Sequence, residues 1–266
     1  MADRRSLDGR RVLVTGAAQG VGAAIAERVI ADGGKVVIAD IQEDAGAARA
    51  AELGDSAAFV RLDVADADSW AAAIHEAKEA FGGLEGLVNN AAILHLGPLE
   101  ELDPTHLSRL ISIILVGPTL GIRAVAPVLR GHGGGSIVNI SSVAGLEGRN
   151  ATIAYTASKW GVRGLTKASA VEFGPDGIRV NAVCPSMGNP EMFAPFLQHF
   201  DVERFMNGTP GPKLHLGGRP TETDMSDVAE MVAWLLSDAA RTCTGADFVV
   251  DAGWTAGTFA PGMPGF

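Results

Sequence analysis

The feature that most constrains this chain lies near its start. An apolar run, Val12–Thr15, leads directly into Gly16-Ala17-Ala18-Gln19-Gly20-Val21-Gly22, and an Ala-rich helical stretch follows. A strand, a glycine-rich turn and a helix in that order make one half of a βαβ unit. Glycines allow a tight turn and close backbone approach, and the helix N-terminus then offers free N–H groups and a positive dipole end to a pyrophosphate. A second apolar run ends on Asp40, 18 positions after Gly22. A carboxylate there accepts hydrogen bonds from both hydroxyls of an adenosine ribose and repels a 2′-phosphate. No Arg or Lys occurs at Ala17–Val21 or at Ile41 to neutralise such a phosphate. The expected cofactor is therefore NAD rather than NADP.

The alternation continues along the chain. Val12–Thr15, Lys35–Ala39, Ala58–Leu62, Gly86–Asn89, Ser136–Ser141, Arg179–Val183 and Asp247–Val250 read as strands. They are short apolar runs bounded by Gly and Asp, as buried parallel strands are. Gly22–Ala31, Ala45–Leu53, Ser69–Phe81, Thr105–Leu129, Ala154–Phe173 and Asp227–Leu236 read as helices. The predicted fold class is α/β: one Rossmann-type domain over residues 1–266, doubly wound, with a seven-stranded parallel sheet and helices on both faces. Residues 186–223 break the pattern. Pro190, Pro195, Pro210, Pro212 and Pro220 lie there with Met187, Met192, Phe193, Phe196, Leu197, Phe200, Phe205 and Met206. A long irregular insert rich in large apolar residues reads as a substrate lid.

Composition narrows the partners. A net charge of −10 and a pI of about 5.0 disfavour nucleic acid and anionic membranes. The two cysteines, Cys184 and Cys243, form no CxxC or Cys/His cluster, so no metal site is expected. The N-terminal MADRRSLDGRRV has charges but no apolar run behind them, so a secretion signal is not expected. No uninterrupted run of 18 apolar residues occurs, and a cytoplasmic protein without a membrane span is the expectation.

The chemistry centres on Tyr155, the single tyrosine, and Lys159. Four residues apart, they share a helix face. A phenol with its ordinary pKa of about 10 is a poor base at neutral pH. A nearby ammonium favours the phenolate and is expected to lower that value. Ser142, 13 residues before Tyr155, ends the fifth strand, where it can donate to a substrate oxygen.

The spacing TGxxxGxG, the triplet Asn89-Asn90-Ala91, Ser142 and Tyr155-Thr-Ala-Ser-Lys159 together resemble the short-chain dehydrogenase/reductase family in its compact NAD-dependent form. IVNISSVAG, YTASKWGVRGLTK and TGADFVVDAGW look most like its bacterial hydroxysteroid dehydrogenases. The resemblance implies hydride transfer between a carbinol carbon and nicotinamide, with catalytic Ser142, Tyr155 and Lys159. It places Gly16, Gln19, Gly20, Val21, Gly22, Asp40 and Ile41 on the cofactor. Asp63 and Val64 would meet adenine, and Asn90 and Ala91 the ribose side. Tyr155, Lys159, Pro185 and Ser186 would flank the nicotinamide ribose and ring. It also implies a homotetramer built on the two long helices.

The chain departs from the family pattern in four places. Ala92 replaces a Gly after the Asn pair, and Ser186 replaces the Gly after Pro185. Pro190 stands where a Thr contacts the carboxamide, and Ile114 where a catalytic Asn stands. Pro118, four residues beyond Ile114, has no N–H, so the Ile114 carbonyl is expected to be released from the helix. The leading expectation is an oxidoreductase on a hydrophobic, steroid- or terpenoid-like secondary alcohol or ketone. Leu94, His95, Leu96, Leu146 and the insert would form its pocket. The alternative is an NAD-binding regulatory or catalytically impaired family member.

Overall fold

The computed structural model describes residues 6–186, 190–199 and 224–257. Much of the insert, with Met187, Phe200, Phe205, Met206, Pro210, Pro212 and Pro220, lies outside the described residues. So does the tail beyond residue 257, with Phe259, Met263 and Phe266.

Seven parallel strands form one sheet: β1 (Arg11–Thr15), β2 (Lys35–Asp40), β3 (Ala57–Arg61), β4 (Gly86–Asn89), β5 (Gly135–Ile140), β6 (Ile178–Pro185) and β7 (Asp247–Val250). Their order is β3-β2-β1-β4-β5-β6-β7. The order reverses between β1 and β4, and a crevice opens there at the strands' carboxyl ends. Strand alternation makes two cores. Val12, Val14, Val36, Ile38 and Val88 pack on one face with Ile25 and Val29 of α1 (Gly20–Ala31). Leu13, Val37, Leu87 and Ile137 pack on the other with Trp70 of α3 (Ala67–Phe81). α2 (Glu43–Leu53) covers β3 through Gly46, whose missing Cβ leaves room for the Phe59 ring.

Local chemistry starts the helices. Asp66 accepts from the Asp68 N–H at 2.9 Å and caps α3. Asp103 accepts from the N–H groups of Thr105 and His106 at 2.7 and 3.2 Å and caps α4 (Pro104–Ile111). Each cap satisfies donors that have no partner inside the helix. The expected single helix over 105–129 instead contains a π-helical segment, Ser112–Val116, before α5 (Gly117–Gly131). The Gly117 N–H reaches back five residues to the Ser112 carbonyl. Pro118 follows at once and cannot donate to Ile114, so regular α-helical bonding cannot run through this point. By length and composition, Pro104–Gly131 could cross a bilayer. Here Leu110, Ile114, Ile122, Val125 and Leu129 are buried in the core.

α6 (Ile153–Phe173) packs against α4 and the π segment. Residues 190–199 form a short helix, α7 (Pro190–Phe193), and a 3₁₀ stretch, Ala194–His199. α8 (Met225–Leu236) begins with a capping box between Asp224 and Asp227 and lies on α1.

Candidate active site

The β1–α1 turn is built for close approach. A Cβ on Gly22 would fall 2.2 Å from the Gly16 carbonyl oxygen and 2.7 Å from Asn90 Nδ2. Asn90 Nδ2 donates to the carbonyls of Thr15 and Gly16 at 3.0 and 3.1 Å. The Asn90 and Ala91 N–H groups both reach Thr15 Oγ1. Asn90 therefore holds the glycine turn against β4. Gln19 stands at the N-cap of α1 without a side-chain hydrogen bond to the helix, and the first turn carries no acid. The N–H groups there remain free for an anion. This cradle fits the pyrophosphate of a dinucleotide.

Asp40 lies at the end of β2, 6% exposed. Its Oδ2 accepts from the Ala18 N–H and its Oδ1 from the Gln42 N–H, both at 3.0 Å. The carboxylate thus also braces the glycine turn, a role its position in sequence did not reveal. Asp63 Oδ1 accepts from the Ala65 N–H at 3.0 Å, and the Val64 carbonyl takes the Trp70 indole N–H at 3.0 Å. The Ser186 N–H donates to the Val250 carbonyl at 3.1 Å, tying the end of β6 to β7.

A cleft of about 1140 Å³ runs along the carboxyl ends of the strands. Gly16, Gln19, Val21, Asp40, Ile41, Asp63, Val64, Asn90 and Ala91 line one end of it, with Ser142, Tyr155, Lys159, Pro185 and Ser186 farther along. Of the expected pocket residues, Leu94, Leu96, Met192, Phe193 and Phe196 line it as well. His95 and Leu146 do not. The His95 ring packs against His106 at 5.4 Å, and the 3₁₀ turn Val143–Gly145 turns Val143 and Ala144 to the cleft instead. Sequence reading missed His106, Arg109 and Ile113. Their i, i+3, i+7 spacing on the helix was the available signal.

The chemical groups converge where β5 meets α6. Ser142 Oγ accepts from the Ala144 N–H at 3.1 Å, so its proton is left to donate, and it hydrogen bonds Tyr155. Ser141 Oγ donates to the Lys159 carbonyl at 3.0 Å and pins α6 to β5. Gly145 lets the turn nestle there, since a Cβ would sit 2.5 Å from Ser141 Oγ. Arg163, one turn beyond Lys159, donates to the Gly145 carbonyl at 2.6 Å and to Asp247 Oδ2 at 2.8 Å. The turn bearing Ser142 is thus tied to α6 and β7.

One expectation is corrected here. The phenol of Tyr155 does not lie below its ordinary value in this arrangement. Burial pushes Tyr155 up to about 12, and the Ser142 hydrogen bond offsets only part of that. Leu110, Ile114, Ala154 and Val162 form the apolar cluster against which Tyr155 packs. Ile114, in the position of the family's Asn, supplies hydrocarbon rather than a dipole. Lys159, 2% exposed, turns its ammonium to the Ile140 carbonyl at 2.7 Å and stands 5.5 Å from the Tyr155 ring centre. Burial pulls it down to about 8. Desolvation disfavours the charged form of both groups.

A family profile described as Enoyl-(Acyl carrier protein) reductase matches residues 16–255. The chain belongs to the short-chain dehydrogenase/reductase family. Relatives within the family include a 3-alpha-(or 20-beta)-hydroxysteroid dehydrogenase of Mycobacterium bovis, 43% identical over 251 residues, covering 94% of this chain and 91% of that one. A trans-4-hydroxycyclohexanecarboxylate dehydrogenase of Sinomonas cyclohexanicum is 42% identical over 254 residues, covering 92% of each. Among solved structures, a 3-ketoacyl-(acyl-carrier-protein) reductase from Brucella melitensis complexed with NADH has a TM-score of 0.84 at 32% identity, over 94% of this chain and 100% of that one. A gluconate 5-dehydrogenase from Burkholderia cenocepacia in complex with NADP and tartrate has a TM-score of 0.87 at 30% identity, over 96% and 99%. This short-chain dehydrogenase/reductase is an oxidoreductase of alcohols and ketones that uses a nicotinamide cofactor.

Proposed function

We propose that this oxidoreductase passes a hydride between NAD(H) and an apolar secondary alcohol or ketone of steroid or terpenoid size. The observation that carries the reading is the convergence of Ser142, Tyr155 and Lys159 on a cleft walled by Leu94, Leu96, Met192, Phe193 and Phe196. A nicotinamide dinucleotide held by the glycine turn, Asp40, Pro185 and Ser186 would supply the hydride-transfer chemistry. Tyr155 exchanges a proton with the carbinol oxygen, Ser142 donates to that oxygen and fixes its position, and Lys159 supplies positive charge beside the phenol as it ionises. An apolar wall excludes water, which strengthens each of these polar contacts. Preference for NAD rests on Asp40, which lines the cleft with Ile41, while its cross-strand neighbour Arg61 is paired with Glu43. Its remaining lone pairs suit ribose hydroxyls, and its charge opposes a 2′-phosphate. A homotetramer and a cytoplasmic site of action complete the reading.

The test is oxidation of a panel of secondary alcohols with NAD or NADP, followed by the absorbance of the reduced cofactor. Steroid- or terpene-sized alcohols with NAD should give the highest kcat/KM, and Tyr155→Phe should lower it by about 10²–10⁴-fold. Higher kcat/KM for ethanol or lactate, or equal use of NADP, would overturn the reading.

A further inference from the structure

The cleft is not apolar throughout. His106, Arg109 and Ile113 succeed one another along one face of α4 and the π segment, and all three line the cleft. Ile113 packs on the same cluster as Tyr155, with the buried Leu110 and Ile114, while Arg109 is exposed. Among the described residues, three cations line the cleft: Lys159, Arg149 and Arg109. Lys159 is bound to the Ile140 carbonyl. Arg149 is paired with Glu147 at 2.5 Å and lies over the Trp254 ring. Arg109 has no hydrogen-bond or ion-pair partner among the described residues. The acids that line the cleft among the described residues, Asp40 and Asp63, lie with the glycine turn. Asp103, on the same helix as Arg109, is held instead by the Thr105 and His106 N–H groups. His106 Nε2 is shut off from solvent, as is Nε2 of His95, whose ring centre lies 5.4 Å from that of His106, so this nitrogen does not face a ligand in the cleft.

From this arrangement we propose an anion subsite, centred on Arg109 at the solvent end of the substrate cleft, that holds the carboxylate of an alicyclic alcohol remote from its carbinol. The proposal deepens the function given above and rests on it. A planar guanidinium fork matches a carboxylate bidentately. A phosphate dianion would carry a charge beyond what one guanidinium offsets, on a chain already at −10. A neutral ligand covering Arg109 would desolvate a cation and offer it nothing. Ile113, one turn beyond Arg109 on the same face, presents hydrocarbon to the cleft, which suits a ring system in the middle of the ligand.

The measurement is calorimetric binding of cyclohexanecarboxylate and of cyclohexanecarboxamide to the full chain, with and without NADH. Arg109→Met and Arg109→Lys are compared with wild type. Wild type should prefer the carboxylate by about tenfold or more, the ratio one charge-assisted pair supports. Arg109→Met should bring the ratio near one, and Arg109→Lys should keep part of it, as a point charge without the fork. A merely structural role would weaken both ligands and leave the ratio alone. Should Arg109→Met fail to fold, wild type alone decides, because the preference must fall as ionic strength rises. Equal binding of the two ligands by wild type, or a preference that survives Arg109→Met or is indifferent to salt, overturns the subsite. Turnover is measured in parallel with 4-hydroxycyclohexanecarboxylate and its amide. Turnover of neutral alcohols without a carboxylate preference removes the subsite and leaves the oxidoreductase reading standing. No hydride transfer with any alcohol removes that reading, while the binding ratio still decides the subsite.

Discussion

Lys159 shows how a catalytic residue is held at a cost. Its pKa falls from 10.5 to about 8 on burial, which corresponds to a penalty on the order of 3 kcal/mol for keeping it charged. The sign follows from linkage. Below pH 8 both folded and unfolded lysine are charged, and the folded state bears the full penalty. Between pH 8 and 10.5 the folded lysine gives up its proton first, so stability rises with pH. Lys159→Met should therefore stabilise the protein at pH 7 by about 1–2 kcal/mol, after loss of the hydrogen bond to Ile140, while abolishing turnover. Melting temperatures should show the gap between variant and wild type narrowing from pH 8 to 10. A gap that widens would refute this account. Tyr155 acts in the opposite sense, since its raised pKa means stability is lost as pH climbs from 10 toward 12. Asp40 also has two roles. The pair Asp40→Ala and Ile41→Arg should move preference toward NADP by tenfold or more, by removing a repulsion and adding a pair. It should also weaken NAD, because the Ala18 N–H loses its acceptor. Steady-state kinetics with both cofactors measures each effect, and unchanged NAD affinity would count against the bracing role.

At the scale of elements, the stretch Pro104–Gly131 carries the most unusual backbone. A proline at 118 removes the N–H that Ile114 would otherwise take, and the helix accommodates this with a π segment against α6. Ile114 itself is 1% exposed beside Tyr155. The side chain is thus given over to packing, and its carbonyl lacks its α-helical partner. Pro118→Ala restores that partner. We expect amide exchange at residue 118 to become protected and kcat to fall several-fold, because the Ile114 carbonyl closes into the helix beside Tyr155. An unchanged kcat across the pH range would show that the π segment serves packing alone.

At the scale of the molecule, charge and apolar surface are divided. The surface bears the net charge of −10, yet Ile111 and Val116 on one helical stretch and Ile153, Trp160 and Val171 on α6 remain exposed. These stretches are neighbours, as the packing of α6 on α4 and α5 shows. Trp160 is 48% exposed and Val171 80%. Exposed apolar groups on adjoining helices suit a closed two-fold contact between copies. Light scattering at micromolar concentration should give a tetramer for wild type and smaller species for Trp160→Glu, which places a charge in the apolar contact. A monomeric wild type would reject the assembly.

Much of the fold was legible in residues 1–266 read as a string. All seven strands fall within two residues of their expected bounds, as do five of the six expected helices, while the sixth, over 105–129, is interrupted by the π segment Ser112–Val116. Short apolar runs and glycine or proline punctuation are local signals, and backbone conformation responds to them locally. The spacing of Ser142, Tyr155 and Lys159 was legible for the same reason: strand ends and helical turns set it. What tertiary structure alone decided is the environment of those groups. The phenol is raised rather than lowered because Leu110, Ile114, Ala154 and Val162 meet around it from two separate helical stretches. Asp40 finds Ala18, 22 residues away in sequence, because β1 and β2 lie side by side. Arg109 lines the cleft without a partner among the described residues because α4 borders that cleft. Desolvation and ion pairing depend on which distant segments exclude water together, and no local pattern of residues carries that information.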